Sequence, residues 1–319
     1  TLSASNYVAW TLWRGAEVMG ILDKASKKHG VRIKVRFYPN YDESMKGFNR
    51  GEAVALTVTN MDLILSQVND GRSTEVILAG TASHGNDAVV SRWAKDIKEL
   101  VGHKIALFQN SVTDWMWSMF LTDKGYKYKD FEIGNTTEDK IVAIYNSSDR
   151  VTAGTWMPYV LDLLAVPGSH VIVDSSMYPE HILDLLVVNY GTPDSVKNAL
   201  LEAWFETVGI LYGEQGGAKK SKLKQLMAAE AQCTVPMIDK MLKTTKFYRT
   251  PADAIEIMSS PRLRKIMVKI MTFIGSQGQL PDYESPDEVG ITYPDGSRYG
   301  ASDNIMVRWD VSGLKRLKK

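Results

Sequence analysis

The residues most able to do chemistry in this chain are indoles and carboxylates set where strand-like runs give way to helix-like ones. Trp10 and Trp13 sit at the first such point, within Tyr7-Val8-Ala9-Trp10-Thr11-Leu12-Trp13-Arg14. Strand ends and helix N-termini converge on ligands in open α/β sheets, so this pair is a candidate ligand wall; buried packing is the alternative. Asn60 and Asp62 follow an apolar run and open a helix. Asn suits the N-cap and Asp the first turn, and either could also touch a ligand. Asn86 and Asp87 follow Gly85 in turn chemistry. Ser111-Val112-Thr113-Asp114 has capping-box spacing, in which the Asp114 carboxylate would return to the Ser111 N–H. The same helix start could instead hold an anion, or aim Asp114 at a cationic group. Trp115 and Trp117 point different ways on that helix, so at most one lines a site. Trp156 closes a run just before Pro158, a position for a cleft wall, and Asp174 ends another.

Catalytic spacing is poor by comparison. His29, His84, His103, His170 and His181 are scattered, and no metalloprotease, nucleophile-elbow or phosphate-loop pattern follows a strand. Nothing pairs a nucleophile with a base, so no catalytic residue, metal or cofactor is expected. Cys233 is the single cysteine and can form neither an internal disulfide nor a thiolate metal site. With 319 residues, 44% hydrophobic and 24% charged, the chain suits two domains or one large one. A formal charge of +1 gives no reason to expect nucleic acid or an anionic membrane as partner. No apolar run approaches the roughly 18 residues of a membrane span. The first residue is Thr1, with no Met and no signal-peptide pattern, which is compatible with an exported protein whose leader was removed.

These residues need elements to hold them. A strand near 3–9, a helix near 15–29, an alternating edge strand at 31–37, a short helix at 42–50, an apolar strand at 53–59, a helix at 63–69 and a strand at 74–79 give a βαβαβ order. That order calls for a parallel, doubly wound sheet. The pattern restarts after Asp87, with strands at 88–90, 103–108, 131–133, 151–156 and 170–174, and helices between them. A buried strand at 182–189 leads into five helices between 193 and 274, with Gly275 as the expected stop of the last. Basic runs at 219–222 and 315–319 read as solvated faces. Two α/β units with a helical extension make a cleft that suits hinge closure on a small solute.

At this point the residues resemble a known family. Trp10–Trp13, Thr57-Val58-Thr59-Asn60-Met61-Asp62, Gly85-Asn86-Asp87, Gly154-Thr155-Trp156-Met157-Pro158, 185–189, and Lys243–Tyr248 with Thr250-Pro251-Ala252 resemble the nitrate/sulfonate/taurine family of ABC-transporter solute-binding proteins. Within it the chain is most similar to the urea-carboxylase-associated branch, whose ligands are thought to be small nitrogen compounds such as guanidine. The resemblance implies an α/β, two-lobed periplasmic binding fold of the second type, each lobe a doubly wound, mostly parallel sheet, with a helical C-terminal extension. Lobe I would be 1–86 plus 182–319, and lobe II 87–181. The implied pocket positions are Trp10, Trp13, Asn60, Asp62, Asn86, Asp87, Ser111, Asp114, Trp115, Trp156 and Asp174. Sulfonate binders of the family tend to have a His-like residue where this chain has Asp114. Indoles with carboxylates suit a compact cation, whereas Arg14 could pair with an anionic end, and a zwitterion such as taurine would use both.

The function implied is that of a non-enzymatic importer component. It would close on its solute between two lobes and deliver it to an inner-membrane permease, as a periplasmic or otherwise extracytoplasmic monomer. The alternative is an enzyme on the same scaffold, of the pyrimidine-precursor or menaquinone-pathway type.

Overall fold

The computed structural model describes residues 1–38, 40–213 and 217–318, with Gln67 by its backbone alone. Lys319, the last of the terminal basic run, lies outside the described residues. The chain divides into two compact units, one of Thr1–Thr81, Leu183–Ile238 and Phe247–Lys319, the other of Ala82–Ile182 and Asp239–Lys246.

The first unit begins with β1 (Leu2–Ala4), α1 (Leu12–Val18), α2 (Ile21–Lys28), β2 (Val35–Phe37), α3 (Tyr41–Asn49), β3 (Ala55–Thr59), α4 (Asn60–Asn69) and β4 (Thr74–Ser83). The expected single helix over 15–29 is two, because Gly20 takes the left-handed conformation (φ 75°) and interrupts the ladder. The 31–37 strand shortens to Val35–Phe37, since its partner β1 has three residues to offer. β3 is buried throughout, and side chains such as Leu56 and Val58 contribute about 1.5–3 kcal/mol each. β4 runs four residues past the expected end and carries Thr81 and Ser83 into buried positions.

The second unit holds β5 (Asp87–Ser91), β6 (Lys104–Leu107), α5 (Val112–Asp123), β7 (Glu132–Asn135), α6 (Glu138–Asn146), β8 (Thr152–Trp156), α7 (Tyr159–Leu164) and β9 (His170–Asp174). Its sheet has the order β7-β6-β8-β5-β9. β6 runs parallel to β7 and β8, while β5 runs antiparallel to β8 and β9.

The chain continues as β10 (Leu183–Asn189), α8 (Asp194–Tyr212), α9 (Gly217–Glu230), α10 (Val235–Lys243), β11 (Thr245–Phe247), α11 (Pro251–Met258), α12 (Pro261–Ser276), β12 (Gly290–Thr292), β13 (Arg298–Tyr299), β14 (Ile305–Trp309) and α13 (Ser312–Leu317). The sheet of the first unit has the order β13-β12-β14-β4-β10-β3-β1-β2, which leaves β2 on the edge that its alternating sequence suggests. β10 runs antiparallel to β3, with Asp184 opposite Thr59 and Leu186 opposite Thr57. β5 and β10 are the first strands after the chain passes from one unit to the other. Each arrives without the helical crossover that makes neighbours parallel; β5 runs against β8 and β9, and β10 against β3. Gly275 does not stop α12; it lies inside that helix, where a Cβ would come 2.3 Å from Pro286. The left-handed residue after the helix is Gly278 (φ 64°).

Candidate functional site

In the first unit the chain leaves β1 and turns through Tyr7–Thr11 into α1, so Trp10 precedes the helix and Trp13 lies within it. Trp10 packs against Tyr7 and Tyr41, with ring centroids 5.0 and 4.9 Å away. The Tyr41 hydroxyl accepts the Thr59 N–H and donates to Asp62 Oδ2 at 2.9 Å, and the Thr59 hydroxyl donates to the same oxygen at 2.7 Å. Burial, and then the neighbouring Asp62, push the Tyr41 phenol well above its usual pKa, so it remains a donor. The helix cap is Thr59, not Asn60: Thr59 Oγ1 accepts the Asp62 N–H. Asn60 instead uses Oδ1 to accept the Leu183 N–H at 3.2 Å, tying α4 to β10.

Trp13 faces Trp204 of α8 at 5.6 Å between centroids. Trp204 lies so close over β4 that a Cβ on Gly80 would come within 2.6 Å of its ring, which explains the glycine. Around these rings is a small recess with room for about one water, bordered by Trp10, Trp13, Trp204, Thr57 and Asp184 together with apolar strand residues. Asp184 is 5% exposed and accepts the Thr81 hydroxyl at 2.5 Å. Arg14, expected as a partner for an anionic group, is instead held by Glu17 and Glu230 at 2.7 and 2.6 Å and lies over Phe37.

In the second unit, three neighbouring strand ends bring Asp87, Trp156 and Asp174 together: Asp87 is the ladder partner of Trp156, and Ala88 that of Asp174. Asp87, expected in a turn, begins β5. Its carboxylate is 3% exposed and accepts the hydroxyls of Ser83 (2.6 Å) and Thr113 (2.8 Å), while its N–H donates to Ser175 Oγ. Burial raises its pKa to about 6 despite the two hydroxyls. Ser111 caps α5, but the Asp114 carboxylate departs from the expected capping box. It accepts the N–H of Asn110, whose φ of 68° turns the backbone toward it, and the Tyr128 hydroxyl at 2.7 Å. Burial raises the Asp114 pKa too. Among the described residues, neither Asp87 nor Asp114 meets a cationic side chain; hydroxyls and backbone N–H groups are their partners.

The other expected site residues of this unit have partners of their own. Asn86 is fully buried and bonds Thr244 and Thr245. Trp115 is 2% exposed, 5.9 Å from His181. Asp174 caps the short turn 175–177 through the Ser176 N–H. Trp156 is half-buried, with Phe108 at 6.4 Å.

Sequence reasoning missed Asp184, Tyr41, Thr81 and Trp204. Asp184 had a signal: a single charge inside Leu183-Asp184-Leu185-Leu186, where an unassisted carboxylate is costly. Trp204 had none, because an indole in an apolar helix reads as packing. Among the described residues, no group of acidic, His and Cys side chains could hold a metal ion, and no helix is long and apolar enough to cross a membrane.

No family model and no curated protein sequence matches the chain. Solved structures do. The chain is similar to the periplasmic aliphatic sulphonate binding protein SsuA from Escherichia coli, at 13% identity over 89% of this chain and 94% of that one, with a TM-score of 0.73. It is also similar to the alkanesulfonate-binding SsuA from Xanthomonas axonopodis pv. citri bound to MOPS, at 10% identity, 88% and 93% coverage and a TM-score of 0.67. A Candida albicans gene product described as having the generic periplasmic binding protein fold matches at 12% identity, 89% and 91% coverage and 0.64. The chain therefore has the mixed α/β periplasmic binding protein fold.

Proposed function

We propose that this protein is the solute-binding component of an ABC importer, working outside the cytoplasm. It captures a small nitrogen-containing solute that carries positive charge, amine-like, guanidine-like or zwitterionic, and hands it unaltered to an inner-membrane permease. The fold shared with periplasmic sulfonate-binding proteins supports the class. The branch within the nitrate/sulfonate/taurine family, the monomeric state and the pocket positions belong to the same proposal.

The observation that carries the charge preference is Asp87, a buried carboxylate satisfied by two hydroxyls with no cationic partner among the described residues. A bound cation would supply the missing charge and return Asp87 to full ionisation at neutral pH. Arg14, committed to Glu17 and Glu230, leaves a sulfonate with less to bind. Thermal unfolding with a panel of small amines, guanidines, zwitterions and sulfonates tests this. A cation that binds is expected to stabilise by about 2.7 kcal/mol at a hundredfold excess over its Kd. Its affinity should fall as the pH drops below about 6, where Asp87 takes up a proton. Stabilisation by sulfonates alone would overturn the charge assignment, and release of product from any panel member would favour an enzyme.

A further inference from the structure

The hydroxyls behind Asp87 form a chain whose direction follows from counting donors and lone pairs. Ser175 is fully buried just after β9, and its Oγ accepts the N–H of Gly85 at 2.8 Å and that of Asp87 at 3.4 Å. A serine hydroxyl has two lone pairs and one proton. With both lone pairs taken, the Ser175 proton is left for Ser83 Oγ, 2.6 Å away. An ionised carboxylate demands the same order from the other end. Asp87 Oδ2 can only accept, so the Ser83 proton goes to it and Ser83 must accept from Ser175. Thr113 differs: among the described residues its hydroxyl has no partner but Asp87 Oδ1, at 2.8 Å.

Neutral Asp87 adds a donor that needs an acceptor. Ser83 could accept it only by turning its own proton to Ser175, whose lone pairs the two backbone N–H groups already hold. Thr113 carries no such tie. We propose that Ser175 is a positioning residue of the solute site: it locks Ser83 as a donor to Asp87 Oδ2 whether or not the carboxyl is protonated, and leaves Thr113 as the hydroxyl that turns when a proton arrives on Oδ1. On the solute-binding reading, on which this use of Asp87 rests, Ser175 thereby tunes the exchange of proton for cation, since it polarises the Ser83 hydroxyl toward the carboxylate. The ionisable residues on the elements packed against β5 are Asp114 and Asp123 on α5, Tyr159 and Asp162 on α7, and His170 and Asp174 on β9; among the described residues none of them bonds the Asp87 carboxylate.

Neutron diffraction from deuterium-exchanged crystals of the wild-type protein tests the chain directly, at about pH 7.5 and about pH 4.5, on either side of the Asp87 pKa of about 6. At both, the Ser175 deuteron should point to Ser83 and the Ser83 deuteron to Asp87. At the lower pH a further deuteron should sit on Oδ1, with that of Thr113 turned away. A Ser83 deuteron aimed at Ser175, or a carboxyl deuteron on Oδ2, would overturn the proposal. In solution, Ser175→Ala leaves both hydroxyls on the carboxylate in place, yet should raise the Asp87 pKa by about half a unit, read as the carbon-13 shift of its carboxyl against pH. Ser175→Thr, which keeps a hydroxyl, should restore it. An unmoved pKa in the alanine variant, or a folded threonine variant that fails to restore it, would count equally against the role of Ser175. The pH below which a stabilising amine or guanidine loses affinity should move up with the pKa. Should no amine, guanidine or zwitterion of the panel stabilise the protein, the solute-binding reading falls, while the deuteron positions still decide the direction of the chain.

Discussion

Glu75 in the first unit and Asp87 in the second are equally hidden carboxylates with opposite surroundings. Glu75, 9% exposed on β4, is closed by Lys197 of α8, itself 7% exposed, with Asp310 a further 3.8 Å contact of the ammonium. Asp87, 3% exposed at the start of β5, is closed among the described residues by Ser83 and Thr113. The first arrangement neutralises a charge inside the protein and leaves nothing for a ligand to add. The second keeps a carboxylate solvated by hydroxyl dipoles, a state that either a proton or a visiting cation can improve. Both carboxylates are thus buried, and the partner separates a structural carboxylate from one that can serve a ligand.

The strongest way to break this comparison is to give Glu75 the isolation of Asp87. Lys197→Ala strands a buried charge and should destabilise the fold by about 3–5 kcal/mol, read by chemical denaturation. A loss under 1 kcal/mol would mean that water already reaches Glu75 and that the pair is no closed unit. The reverse experiment removes the charge from Asp87. Its folded pKa of about 6 lies above the unfolded value of 3.8, so the folded form binds the proton more tightly. The stability this gives is complete below pH 3.8 and is lost as the pH rises through 6. Asp87→Asn carries no such penalty, and its stability relative to wild type should rise by about 3 kcal/mol between pH 3.5 and 7.5. A constant difference across that range would show that the carboxylate keeps an ordinary pKa in the fold.

How far the sequence reveals these arrangements depends on whether neighbours in space are also neighbours in the chain. The strands at β3, β5, β9 and β10, and the edge position of β2, follow from local alternation and apolar runs, which the sheets reproduce within a few residues. The helix break at Gly20 and the passage of α12 through Gly275 were not legible, because a glycine reads alike as a stop and as a close approach; Pro286 decides the second case. Asp87 and Asp114 were visible as acids at element starts. Their partners were not: Ser83 and Thr113 lie 4 and 26 residues from Asp87, and Tyr128 lies 14 from Asp114. The Trp204 contact with Trp13 joins helices far apart in the chain, and no periodicity encodes it.

Trp156 tests whether the hydroxyl-held carboxylate belongs to a ligand site at all. It is Asp87's ladder partner and is half-buried, so a solute charge near Asp87 would lie within reach of its indole. Trp156→Ala should raise the Kd for a stabilising solute at least tenfold, about 1.4 kcal/mol, with the unfolding midpoint of the unliganded protein little changed. An unaltered Kd would remove Trp156 from the site and leave Asp87 as a strand-end feature.

The finest distinction is between the two hydroxyls and the burial that opposes them. Burial raises the Asp87 pKa while Ser83 and Thr113 lower it, so the value of about 6 is a balance between them. Ser83→Ala deletes one donor and leaves the strand ladder intact. A hydrogen bond to a charged group contributes about 1.5 kcal/mol, so the pKa should climb by about one unit, followed as the carbon-13 shift of the Asp87 carboxyl against pH. Ser175, which shares the Ser83 hydroxyl at 2.6 Å and accepts the Asp87 N–H, is close enough to substitute. A pKa that stays put in Ser83→Ala but rises in the double variant with Ser175→Ala would show the two serines backing each other. A pKa unmoved in both would mean that hydroxyl dipoles do not hold this charge, and the contrast with Glu75 would lose its physical basis.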